Sequence, residues 1–186
     1  MDTDKNSACC FTGYRPQKFP FPLNFENKDY FKFNAKLEST IRQLIKKGIT
    51  DFYCGGAYGF DIMAAEIVLS IKKCIHDIRL FCVIPFKNQA DQWNNKWKER
   101  YENVLSQSDK TVLISDKYTP GVYQQRNCFM VDNSSVVLAF FDGKSGGTKN
   151  TINYAKSCGK EIINIASDNE CLSVDDAFLA EQMTLL

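Results

Sequence analysis

The chain is poor in histidine, in net charge and in long apolar runs, and each shortage closes off a class of function. His76 is the single histidine in 186 residues. It lies in the segment Lys73–Asp77, at the expected end of a helix, where an imidazole serves the helix dipole, so Ser/His/Asp and Cys/His nucleophile systems have no base to build on. A formal net charge of +1 gives no bulk attraction to nucleic acid or to a membrane surface. The longest strongly apolar run, Val136–Phe141, is far too short to cross a bilayer. Met1–Ser7 is polar and acidic, with no basic region ahead of an apolar stretch, which predicts a cytoplasmic protein. The eight cysteines form no CxxC and no Cys/His spacing of a zinc site. No metal is expected, and most of the thiols sit in apolar runs, as small core hydrophobes do. The glycine-rich stretch Gly55–Asp61 lacks the GxGxxG spacing and is not directly followed by GK[ST], so it is neither the dinucleotide fingerprint nor a P-loop.

What is present alternates strand and helix signals almost throughout. Hydrophobic residues make up 44% of the chain, enough for one packed core, and the length predicts a single domain over residues 1–186. Apolar runs at Ala8–Phe11, Ile49–Cys54, Arg79–Ile84, Thr111–Ser115, Val136–Phe141 and Glu161–Ile165 predict buried strands, the third stopped by Pro85. Leu37, Ile41, Leu44 and Ile45 recur at helical spacing before Gly48. Further helices are predicted over Asp61–Ile75, through the Trp93/Trp97/Tyr101/Leu105 stripe, and over Tyr123–Asn133, Thr148–Cys158 and Val174–Met183. The period of the Trp/Tyr stripe assigns it to core rather than to base stacking. This order specifies an α/β fold: a three-layer Rossmann-like domain with a mainly parallel, doubly wound sheet. One segment breaks the rhythm. From Gly13 to about Phe33 runs a long loop with Pro16, Pro20, Pro22 and the aromatics Phe19, Phe21, Phe25, Tyr30, Phe31 and Phe33, open to two readings, a lid or an extension of the core.

Three glycine-bearing turns each follow a strand: Thr12-Gly13-Tyr14-Arg15, then Gly55-Gly56-Ala57-Tyr58-Gly59-Phe60-Asp61, then Ser145-Gly146-Gly147-Thr148. In an open parallel sheet such turns share the carboxyl rim, where ligands bind. Glycine lets backbone N–H groups approach an anion, and the helix that follows turns its positive end to the same place. Candidate phosphate contacts are therefore Gly13, Gly55, Gly56, Gly59, Gly146, Gly147 and Thr148, with Arg15 and Arg126 as the partnering cations. Asp61, at a helix start, is placed to cap free N–H groups or to meet a ligand hydroxyl.

Taken together, Phe11-Thr12-Gly13-Tyr14-Arg15-Pro16, the GGAYGFD turn with Ala64-Ala65, Ile84-Pro85-Phe86, Tyr118-Thr119-Pro120-Gly121, Arg126-Asn127 with Met130-Val131-Asp132, and Gly146-Gly147-Thr148 resemble the SLOG superfamily, closest to its YpsA-like branch. The resemblance runs from Cys10 to about Ile165. It implies a Rossmann-like sheet with a pocket for a nucleotide or nucleotide-derived ligand, in a homodimer, with no cofactor required, and for some members a sensor or regulatory role. LOG-type members are phosphoribohydrolases that use an arginine of R-x-x-x-M and a glutamate of PGGxGTxxE. Arg126 and Met130 fit the first motif, but Thr151 occupies the glutamate position of the second. Asp61 and Asp142 are candidate substitutes that the spacing does not choose between. DprA-like members bind single-stranded DNA through a basic groove, and the near-neutral charge of this chain weighs against that branch.

Overall fold

Six apolar runs lie side by side as one parallel sheet in a computed structural model that describes residues 4–166. The strands are β1 (Ala8–Gly13), β2 (Asp51–Cys54), β3 (Arg79–Phe86), β4 (Lys110–Ser115), β5 (Val136–Phe140) and β6 (Glu161–Asn164), in the order β4-β3-β2-β1-β5-β6. Every neighbouring pair is parallel, with Cys10 opposite Tyr53 on one side of β1 and opposite Val137 on the other. The sheet is thus wholly parallel. Strands β1, β2 and β5, which precede the three glycine turns, are adjacent at its centre.

Five helices cover the two faces among the described residues: α1 (Lys28–Lys46), α2 (Phe60–Lys72), α3 (Asn95–Gln107), α4 (Val122–Asp132) and α5 (Gly147–Ser157). Side chains alternate across a strand, so Cys9, Phe11, Phe52, Leu80 and Leu138 join the core under α1, α2 and α3. Cys10, Tyr53, Phe81, Val83 and Val137 join the core under α4 and α5. Helix α2 buries nine of its thirteen residues and lies against β1, β2 and β3. Its near-uniform apolar surface is that of a helix packed on several sides.

Several boundaries differ from the sequence expectation. Strand β3 continues through Pro85 to Phe86, because β2 ends at Cys54, opposite Cys82, and the β2 side of Pro85 asks for no ladder hydrogen bond. Helix α1 begins at Lys28, earlier than expected, where Asn27 Oδ1 accepts from Asp29 N and Tyr30 N, both at 3.0 Å. The loop it shortens extends the core: Phe19 stacks on Phe140 at 4.9 Å, and Phe21 and Phe33 pack around the same ring. Phe25 and Phe31 of that stretch stay exposed. Helix α2 ends at Lys72, so His76 stands beyond it in an exposed turn and is no helix-end residue. Trp97 and Tyr101 are buried, as their spacing predicts. Cys74 and Cys158 are exposed, unlike the other thiols, and Cys171 and the Val174–Met183 helix lie outside the described residues. No described helix is long and apolar enough to cross a membrane.

Candidate functional site

The three turns meet. Thr148 Oγ1, from the third, donates to the carbonyl of Gly13 in the first at 3.1 Å. Tyr14 donates its hydroxyl proton to Asp142 Oδ1, and Asp142 N donates back to that hydroxyl at 3.2 Å. Lys18 Nζ reaches the Ser145 carbonyl at 3.4 Å. Toward the second turn, Phe60 N donates to Tyr14 O at 3.0 Å. These bonds link the ends of three strands that are far apart in sequence, and a cavity of about 320 Å³ opens between them. That volume is at the small end of the roughly 300–1,000 Å³ typical of ligand sites.

Of the residues singled out from sequence, Gly13, Arg15, Asp61, Arg126, Gly147 and Thr148 line this cavity. Gly55 lies beneath it: a Cβ there would land on the Arg126 guanidinium and 2.8 Å from Asp61 Oδ2, so the absent side chain makes room for that pair. Gly56 is turned away toward Gln89, Ile84 and Tyr101. Gly59, at φ +105°, lets the loop after β1 close onto α2, since a Cβ would meet Tyr14 O at 2.5 Å. Gly146 faces Lys18 outside the cavity. Sequence reasoning missed Lys18, Tyr123 and Asn127, which also line it. Tyr123 could have been found from helix geometry, standing three residues before Arg126 on the same face, with Asn127 one turn after Tyr123.

The helices that converge on the cavity share a feature. Helices α2, α4 and α5 begin after Gly59, Gly121 and Gly146, with no side-chain cap. Phe60 N and Val122 N donate to the Tyr14 and Thr119 carbonyls, and no N-cap side chain takes the other first-turn N–H groups. Helices α1 and α3 instead start on Asn27 and Asn94, whose side chains accept from the first turn. The charge pattern suits an anion: Arg15 and Lys18 are exposed at the mouth and Arg126 is buried in the wall. Arg126 Nη1 donates to the Gly55 carbonyl and lies 3.8 Å from Asp61 Oδ2, while its Nε has no hydrogen-bond partner. Burial lowers the Arg126 pKa, an effect that Asp61 opposes. Burial pushes the Asp61 carboxyl up to about 6, against the pull of Arg126 and of the Ala57 N–H. Asp142 is held down at about 2 by Lys144 and the Tyr14 hydroxyl. Thr151 is buried and structural in its contacts, accepting from Asn127 Nδ2 at 2.9 Å and donating to Gly147 O at 3.0 Å.

A larger depression of about 550 Å³ lies elsewhere, between α1, α2 and α3. Its principal charges, Glu66 and Arg100, already pair in two hydrogen bonds. The smaller cavity has unspent donors, and it is where the turns meet.

The model of the YspA SLOG family (YpsA) matches residues 9–168, almost the whole chain. The chain belongs to this family. Among its relatives, the SPbeta prophage-derived protein YoqJ of Bacillus subtilis is 33% identical over 144 residues, spanning 70% of this chain and 84% of YoqJ. The UPF0398 protein of Bacillus licheniformis is 25% identical over 178 residues, spanning 92% and 97%. Among solved structures the fold is similar to DNA processing protein A (DprA) of Helicobacter pylori, studied for its single-stranded DNA binding mode, with a TM-score of 0.61 at 19% identity, covering 97% of this chain and 75% of that one. DprA of Streptococcus pneumoniae gives 0.59 at 14% identity, with this chain spanning 57% of its length. This YspA SLOG member therefore has the DprA type of Rossmann-like fold.

Proposed function

We propose that this protein binds a nucleotide or nucleotide-derived ligand, with the phosphate between Gly13, Gly147-Thr148 and the Arg15/Arg126 pair, and acts as a sensor or regulator. The observation that carries the reading is the convergence of three uncapped helix starts on one cavity that also holds a buried arginine with an unpartnered Nε. Phosphate supplies the acceptors that these groups lack. Asp61 then caps α2 or meets a ribose hydroxyl. The same reading includes a homodimer, which light scattering tests.

A thermal-shift panel of nucleoside mono- and diphosphates, NAD and ADP-ribose is the direct test. At about a hundred times its Kd a ligand adds about 2.7 kcal/mol of stability, a shift easily read. No shift with any of them at millimolar concentration contradicts the proposal. A single-stranded oligonucleotide belongs in the same panel, because the fold is shared with DprA. Salt-sensitive oligonucleotide binding without mononucleotide binding would redirect the assignment.

Asp61 supports a second reading, an N-glycosidase acting on a nucleoside monophosphate. Thr151 supplies no carboxylate, whereas Asp61 lines the cavity beside Arg126 with a pKa near 6, suited to proton transfer. Incubation with AMP, read for free adenine, separates the two readings. Base release abolished by Arg126→Ala and by Asp61→Asn would establish the enzyme.

A further inference from the structure

Phe86, Tyr118 and Tyr123 come from three elements and meet at the edge of the same cavity. Phe86 ends β3, Tyr118 lies in the loop after β4, and Tyr123 is the second residue of α4. Both tyrosine rings pack T-shaped on Phe86, with centroids at 5.6 and 5.7 Å, and lie 6.3 Å from each other. Tyr118 is 61% exposed and Tyr123 37%, so rings fixed by their neighbours still present open surface. The phenylalanine cluster around Phe140 behaves differently. Phe19, Phe33, Phe60 and Phe140 form a cluster that closes the core.

We infer that this cluster is the nucleobase subsite of the cavity, with the base of a nucleotide stacking on Tyr123. The inference rests on the nucleotide-binding reading and extends it from the phosphate to the other end of the ligand. Tyr123 is the link, since it belongs to the aromatic cluster and also lines the cavity with Arg126 and Asn127, one turn along α4. A ligand with its phosphate at Thr148 and Arg126 therefore has a flat, partly exposed ring beside it. Held by Phe86, the tyrosine loses little rotamer freedom when a base settles on it. Every base has a π-face, so stacking of this kind selects for a base over none rather than for one base over another.

The test is calorimetric titration with AMP, GMP, CMP, UMP and ribose 5-phosphate against the wild type, Tyr123→Phe, Tyr123→Ala and Tyr123→Leu. The expected result is wild-type binding of the nucleotides at least about tenfold tighter than ribose 5-phosphate. Tyr123→Phe keeps that preference. Tyr123→Ala removes it and leaves ribose 5-phosphate affinity unchanged, with Tyr123→Leu keeping the bulk should the alanine variant fail to fold. Equal wild-type affinity for nucleotides and ribose 5-phosphate overturns the base subsite and leaves the phosphate reading standing. So does a preference that survives both Tyr123→Ala and Tyr123→Leu. Binding of none of the five overturns the base subsite, and the diphosphate, NAD and ADP-ribose arms of the thermal-shift panel then decide the phosphate reading.

Discussion

Two buried aspartates each face an arginine, at opposite ends of the sheet, and they are built differently. At the amino end Asp51, fully buried, takes two hydrogen bonds from Arg79 at 2.7 and 2.8 Å, across register partners of β2 and β3. At the carboxyl end Asp61 and Arg126 stand 3.8 Å apart, with the guanidinium Nε unpartnered and a cavity against both. A bidentate pair that engages both carboxylate oxygens is part of the scaffold. A loose buried pair beside open space keeps capacity for a third party, and that is where we assign the ligand.

The comparison breaks first by removing each arginine in turn. Arg79→Met leaves Asp51 buried without its partner and is expected to cost about 4 kcal/mol in urea unfolding, with nucleotide affinity unchanged. Arg126→Met should do the reverse, weakening nucleotide binding by about a hundredfold, on the order of 3 kcal/mol for a charge-assisted contact, while costing less stability than Arg79→Met because Asp61, its pKa already raised by burial, takes up a proton when its partner goes.

Next comes pH. The folded Asp61 holds its proton up to about 6, against 3.8 for a free carboxyl, so its protonated form favours the folded state. That advantage is greatest below the unfolded value and is lost as pH rises through about 6. Relative to Asp61→Asn, the wild type should lose up to about 3 kcal/mol of stability between pH 4 and 7. Affinity for a phosphate should fall over the same rise, by about tenfold, as the carboxylate charges beside it, and the Asn variant should flatten that profile. A flat wild-type profile would mean that Asp61 stays ionised throughout.

The smallest effect lies in the helix starts. Asn94 Oδ1 accepts from Trp97 N at 3.1 Å, and Asn94→Ala should cost about 1 kcal/mol without touching affinity.

Much of the fold could be read from residue pattern because buried parallel strands show as short apolar runs and the helices between them show a period. The adjacency of β2, β1 and β5 could not, since strand order depends on crossovers rather than on any local run. Pro85 misled for a physical reason. A proline lacks a donor but harms a strand only where a neighbour needs that donor, and the early end of β2 is a tertiary fact. The start of α1 carried a signal, Asn27 as cap with Asp29 in the first turn, that the surrounding phenylalanines obscured. At the site, the glycine-rich turns do meet at one cavity, yet glycines that fold a turn and glycines that line a cavity look alike in sequence. Gly59 and Gly146 proved to be the former, while Tyr123 and Asn127 entered through the helix that carries Arg126.

The most direct measurement is a crystal structure grown with a nucleoside monophosphate at millimolar concentration. The account predicts density for the phosphate within hydrogen-bonding distance of Thr148 and of Arg126, between the Gly13 and Gly147 backbones. A cavity holding only water, with the nucleotide elsewhere or absent, would contradict it.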